Sequence, residues 1–161
     1  MPSEATPEPL APGQVAPDFT LNDAQGQSVN LSHLRGRWVV LYFYPRDNTP
    51  GCTKEACGFR DRHSEFLAQD ICVLGVSADD GKAHQKFVKK FDLPFTLLSD
   101  PDGAIATAYG SYGLKKFMGK TYEGVYRHTF IIDPNGLIAK IYRKVKPETH
   151  AAEVLEDLAN L

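Results

Sequence analysis

The chain has 161 residues, 42% apolar and 11% aromatic, so one domain with a sizeable core is expected. Its 18 Lys and Arg against 20 Asp and Glu give a net charge of −2, which excludes a global electrostatic pull toward nucleic acid or anionic membranes. No apolar run approaches the ~20 residues of a bilayer span. Three cysteines are too few, and odd in number, for a disulfide scaffold, so a reducing cytoplasmic setting is expected.

Residues 1–13, rich in Pro, Ala and Glu, read as a disordered lead-in without the basic and apolar regions of a signal peptide. The remainder, 14–161, is the expected domain. Val15 to Leu21 and Ser28 to Leu31 flank a turn-rich Asn22–Gly26 and predict a hairpin. Arg37 to Tyr44 is almost wholly apolar, β-branched and aromatic, the pattern of a strand buried on both faces. Cys52 to Leu67 predicts a helix, Ile71 to Ser77 a second buried strand, and Lys82 to Phe91 a helix with apolar residues at 87, 88 and 91. Phe95 to Leu98 and Ala104 to Tyr109 predict a short strand and a short helix. Tyr126 to Ile132 and Leu137 to Tyr142 are expected strands joined by Asp133-Pro134-Asn135-Gly136, a strong turn signal. Glu148 to Leu161 closes the chain as a helix with Val154, Leu155 and Leu158 on one face. The order predicts an α/β fold, a central mixed sheet with helices on both faces and an N-terminal hairpin.

Cys52 follows a strand and a Pro50-Gly51 turn and falls at a helix start. Unpaired backbone N–H groups and the macrodipole favour an anion there, so a reactive thiolate is expected rather than a buried small hydrophobe. Ionisation alone does not make a fast enzyme. A thiol of pKa ~8.5 is about 3% thiolate at pH 7, so full ionisation gains only ~30-fold, part of it lost to weaker nucleophilicity. Donors aimed at charge appearing in the transition state are also needed. Thr49 can supply a hydroxyl, Pro45 can shape and shield the pocket, and a cation must come from elsewhere.

Cys57 lies five positions later. In an intact helix the two Cα atoms are about 8.6 Å apart, beyond the ~7 Å a disulfide tolerates. Either the two never pair, or the helix start unwinds in an oxidised form. Cys72, inside Ile71-Cys72-Val73-Leu74, reads as core packing. His33, His63, His84 and His150 carry no motif and are expected in solvent or local hydrogen bonds.

Pro45-x-x-x-Thr49-x-x-Cys52 resembles the active-site signature of the peroxiredoxins. Thr49-Pro50-Gly51-Cys52-Thr53-x-x-Ala56-Cys57 is similar to the bacterioferritin comigratory protein subgroup, also called peroxiredoxin Q. The resemblance runs from about Val15 to the C-terminus and includes Val15-Ala16-Pro17-Asp18-Phe19, Phe95–Asp100 and Arg127–Asp133. It implies a thioredoxin-like fold and a thiol peroxidase acting on hydrogen peroxide and organic hydroperoxides, with neither metal nor organic cofactor. By resemblance Cys52 is the peroxidatic cysteine, Cys57 the resolving cysteine that forms an intramolecular disulfide, and thioredoxin or a similar dithiol the reductant. Thr49 would hydrogen-bond the thiolate and the peroxide. Arg127 matches the family's active-site arginine, although taken alone it reads as a surface residue. Glu55 reads equally as the carboxylate that orients Arg127 and as a first-turn acid complementing the helix dipole. A nearby resolving cysteine needs no partner subunit, so a monomer without nucleic-acid or membrane partners is expected.

Rival readings fit less well. A disulfide reductase would carry C-x-x-C, but four residues separate the cysteines here. A cysteine phosphatase needs Arg at the position of Gly58, and structural zinc usually takes four ligands.

Overall fold

A computed structural model describes residues 10–161. Thr20–Asp23 (β1) and Ser28–Asn30 (β2) form the expected hairpin, closed by an Asp23 carboxylate that accepts the amides of Gln25 and Gln27. The strand expected from Val15 is realised only from Thr20; Pro17, between them, has no amide to donate. Residues 13–16 instead run along the far side of the molecule. Val15 bridges Leu137, the Gly13 amide donates to the Ile138 carbonyl and the Ile138 amide to Gln14. Most of the expected lead-in, residues 1–9, lies outside the described residues.

A 3₁₀ turn, Leu31–Leu34, leads into Trp38–Phe43 (β3). Then come Pro50–Asp61 (α1), His63–Ala68 (α2), Ile71–Ser77 (β4), Gly81–Phe91 (α3), Thr96–Ser99 (β5) and Ala104–Ala108 (α4). Tyr112–Phe117 (β6) and Lys120–Val125 (β7) precede Thr129–Ile132 (β8), Ile138–Tyr142 (β9) and His150–Ala159 (α5). The seven-stranded sheet has the order β2-β1-β5-β4-β3-β8-β9. The β3–β4 and β4–β5 pairs are parallel, and β1, β8 and β9 join antiparallel, so the sheet is mixed as expected.

Alternation along β3 sorts the core into two layers. Val40, Tyr42 and Tyr44 face Cys52, Ala56 and Phe59 of α1, Phe66 of α2, Phe87 of α3 and Val154 of α5. Val39, Leu41 and Phe43 face Ala16, Phe19, Leu31, Ala106 of α4 and Tyr109. Helices therefore cover both faces, the longer ones on the Tyr42 side.

Three further elements differ from expectation. The helix expected over Cys52–Leu67 begins at Pro50, whose fixed φ and missing N–H suit the first helical position. It also breaks at Arg62. No apolar residue lies between Phe59 and Phe66, and the break brings Phe66 back onto Phe59, with ring centroids 5.8 Å apart. The β6–β7 hairpin was not legible. Its Met118-Gly119 turn takes positive φ at both residues, 53° and 80°, without the Asn-Gly signal of such turns, and Leu114 and Tyr122 are exposed. The strand expected from Tyr126 starts at Thr129, because the His128 amide turns back to the Tyr126 carbonyl, 3.0 Å away, in a γ-turn centred on Arg127.

Candidate active site

The sheet delivers Tyr44 to the rim of β3, where its amide still pairs with the Val76 carbonyl at 3.0 Å. Pro45 ends the strand, since it offers no further ladder donor. The loop then turns through Asn48, at φ 58°, a conformation Asn tolerates better than most residues. Thr49 is the N-cap of α1 in extended conformation. The Thr53 amide donates to the Thr49 carbonyl at 2.8 Å. With Pro50 lacking an N–H, the amides of Gly51 and Cys52 stand ahead of that hydrogen bond at the open helix end. Cys52 is 2% exposed, its sulfur at the meeting of α1, the loop and the Arg127 turn.

Arg127 comes from far along the chain. Its turn is pinned on one side by the Tyr126 amide donating to the Ser111 carbonyl, and on the other by the Phe43 amide donating to the His128 carbonyl. Arg127 Nη2 donates to Cys52 Sγ at 3.4 Å, and Nη1 donates to Glu55 Oε1 at 2.8 Å. A planar guanidinium thus grips thiol and carboxylate with two separate nitrogens, which a lysine could not do in the same geometry. Burial works against its charge, but Glu55 and Cys52 outweigh it and hold the guanidinium more firmly protonated than usual. Gly51 makes room: a Cβ there would lie 3.0 Å from Nη2.

Glu55 is 1% exposed and not a solvated first-turn acid. Burial pushes its carboxyl up to about 7 despite the opposing charge and hydrogen bond of Arg127. Only Oε1 is paired; Oε2 is buried without a hydrogen-bond partner. The Thr49 hydroxyl donates to the Arg46 carbonyl at 2.9 Å. Its proton is therefore engaged in this conformation, leaving the oxygen to accept from an incoming O–H rather than to donate to the thiol. Pro45, four residues earlier in the same loop, is half-buried. Cys57 is half-buried on the same intact helix as Cys52, and both are free thiols. Cys72 is also free, and burial raises its thiol.

Neighbouring groups escaped the sequence reading. Lys115 of β6 donates to the Val125 carbonyl at 2.9 Å; burial, helped by the charge of Arg127, lowers its ammonium, while Cys52 opposes that shift. His84 and His150, expected in solvent or local hydrogen bonds, are both fully buried. His150 packs edge-on to Phe59 and bonds Thr129 Oγ1 at 2.8 Å and Glu153 at 3.1 Å. His128 faces away from the thiol toward Ser111 Oγ, at 2.9 Å, and burial with Arg143 nearby lowers it to about 4. No spacing rule connects these residues to the cysteine motif; packing does.

Residues 12–141 match the AhpC/TSA family. The chain is 51% identical over 143 residues to a putative peroxiredoxin bcp of Coxiella burnetii, covering 89% of this chain and 95% of that protein. It is 48% identical over 149 residues to peroxiredoxin Bcp of Bacillus subtilis, covering 92% and 95%. A solved structure of the Xanthomonas campestris bacterioferritin comigratory protein, described for its alkyl peroxide reduction activity, is 37% identical with a TM-score of 0.83, covering 88% and 90%. Signature, geometry and these likenesses agree that the chain belongs to the AhpC/TSA family, as a peroxiredoxin of the bacterioferritin comigratory protein (peroxiredoxin Q) group, a thiol peroxidase with a thioredoxin-like fold.

Proposed function

We propose that Cys52 is the peroxidatic residue of this enzyme and Cys57 its resolving residue. The observation that carries the reading is the guanidinium of Arg127 reaching both the Cys52 sulfur and Glu55. The Cys52 thiolate attacks one oxygen of a hydroperoxide. The O–O bond breaks, the second oxygen leaves as water or an alcohol after taking up a proton, and Cys52 becomes a sulfenic acid. Arg127 stabilises charge gathering on the departing oxygen, and Glu55 orients Arg127. Thr49 accepts a hydrogen bond from the peroxide, and Pro45 shields the sulfur. The Cys57 thiol then displaces the sulfenic hydroxyl as water, forming a Cys52–Cys57 disulfide. With both residues inside α1 the disulfide requires the first turn of that helix to unwind.

A thioredoxin-type dithiol then reduces the disulfide and is itself oxidised. Hydrogen peroxide and organic hydroperoxides are the substrates, consistent with the activity described for the Xanthomonas protein. We place the enzyme in a reducing cytoplasm as a monomer, its domain being residues 14–161, acting without nucleic acid or membrane. Among the described residues no helix is long and apolar enough to cross a membrane. The chemistry calls on neither metal nor organic cofactor.

A coupled peroxidase assay with several hydroperoxides and dithiol reductants tests the assignment. Cys52→Ser is expected to lose activity. Cys57→Ser is expected to complete one turnover, then stall as sulfenic acid or over-oxidise, read by mass spectrometry of the Cys52 peptide. Brisk activity in Cys52→Ser would sink the assignment of Cys52, and continued cycling of Cys57→Ser with the reductant would sink that of Cys57.

A further inference from the structure

Asp47 lies two residues before Thr49 in the reactive loop and is buried. One carboxylate oxygen accepts the Tyr44 hydroxyl; the other meets His84 Nδ1 at 2.6 Å. The Asp47 amide donates to Asp79 Oδ2 at 2.8 Å, and Ser77 Oγ donates to the same oxygen at 2.7 Å. His84, on α3, is fully buried, and its Nε2 lies 3.0 Å from the Leu98 carbonyl of β5. A carbonyl only accepts, and so does a carboxylate. With Asp47 ionised, both ring nitrogens carry hydrogen and His84 is an imidazolium.

The groups facing it come from every adjoining element. They are Asp47 from the loop, Asp79 from the β4–α3 turn, the Leu98 carbonyl from β5, and Tyr44 through Asp47. On its own helix the Asp80 carbonyl accepts the His84 amide at 3.0 Å, and the cation Lys90 reaches Asn48 Oδ1 at 3.4 Å. Burial opposes the charge on His84. The hydrogen bond and charge of Asp47, the Leu98 carbonyl and Asp79 outweigh it, and the net displacement is upward.

We propose that His84 is a positioning residue for peroxide reduction: as a buried cation it clamps Asp47 and so holds the Pro45–Thr49 loop that places Thr49 and Cys52. This rests on the assignment of Cys52 as the peroxidatic residue. The clamp ends one residue before Asn48, so it gives the unwinding helix start a fixed end on which to re-form. When His84 loses a proton, one ring nitrogen turns a lone pair toward an acceptor, and the clamp loosens. Thiolate formation makes the rate rise and level off with pH; the clamp adds a decline at the alkaline end.

The test is the rate of Cys52 thiol loss in the first turnover with hydrogen peroxide, by rapid quenching into an alkylating reagent, from about pH 6 to about pH 10. The full-length protein, His84→Gln, and His84→Gln combined with Asp47→Asn are compared. The expected result is an alkaline decline in the parent and a rate lower by about tenfold at neutral pH in His84→Gln, since small misplacements near reacting atoms cost that much or more. The decline is absent from both variants. The double variant, a neutral hydrogen-bonded pair, recovers thermal stability without recovering the decline. A parent with no decline, or a folded His84→Gln with the parent's rate and profile, overturns the proposal. Nitrogen NMR of the parent's histidine rings is decisive even if the variants do not fold: a neutral His84 at pH 7 overturns the proposal, and a charged one supports it. Peroxidase activity in Cys52→Ser would instead overturn the underlying assignment.

Discussion

Arg127 joins Cys52 and Glu55 through one rigid fork, and the burial of Glu55 at that fork has a cost that Arg127 only partly offsets. The folded chain keeps a proton on Glu55 up to about pH 7, whereas the unfolded chain releases it near 4.5. The sign follows from linkage: this residue's contribution to stability is full below pH 4.5 and is lost as pH rises through about 7. Glu55→Gln, neutral throughout, is expected to flatten that part of the stability profile, measured as urea midpoints between about pH 5 and about pH 8. An unchanged slope would show that Glu55 is ionised at neutrality. Gly51→Ala probes the same fork from the other side. Its Cβ would press on Nη2 from 3.0 Å, so the guanidinium must give by a few tenths of an ångström and its hold on the sulfur is disturbed. First-turnover peroxide reduction should fall about tenfold, with little change in melting temperature. At this scale the sequence was informative where chemistry is local. Cys52, Thr49 and Pro45, the residues proposed for the reaction, lie within one short segment of sequence. The Asp47–His84 pair spans 37 positions and exists only because α3 packs against that loop.

Among the elements, α1 carries the main tension. In the proposed cycle its first turn is intact when Cys52 meets Arg127 and must be undone for Cys52 to reach Cys57. Amide exchange is expected to show residues 52–58 protected in the reduced protein and strongly deprotected in the disulfide form. Equal protection in both states would mean that the cysteines do not pair within one chain. The buried strands were legible because β3 and β4 are nearly continuous apolar runs. The β6–β7 hairpin was not, since exposed strands need no apolar alternation and its turn lacks the usual residues. The γ-turn at Arg127 was also hidden: Tyr126 ahead of the Thr129–Ile132 run reads as one strand until the His128 amide is seen to turn back.

For the whole molecule, the two-layer core explains how distant segments meet at one thiol. β3 lies inside the sheet, with β4 on one side and β8 on the other. Loops leaving its end and entering β8 must therefore emerge side by side. The overall architecture was readable from element order alone, because strands alternating with helices leave few arrangements for a mixed sheet. What the order could not convey was the route of residues 13–16 along β9.

That short run has a bearing on solubility. A sheet's last strand presents unpaired amides and carbonyls that invite another molecule to add on. Here the chain's own beginning occupies part of that rim, satisfying Ile138 on both its amide and its carbonyl. Deleting residues 1–16 should leave the thiol chemistry largely in place yet create a sticky border. Light scattering during storage would reveal growing aggregates in the shortened protein and none in the parent, and a shortened protein that stays clear would show that β9 needs no such guard.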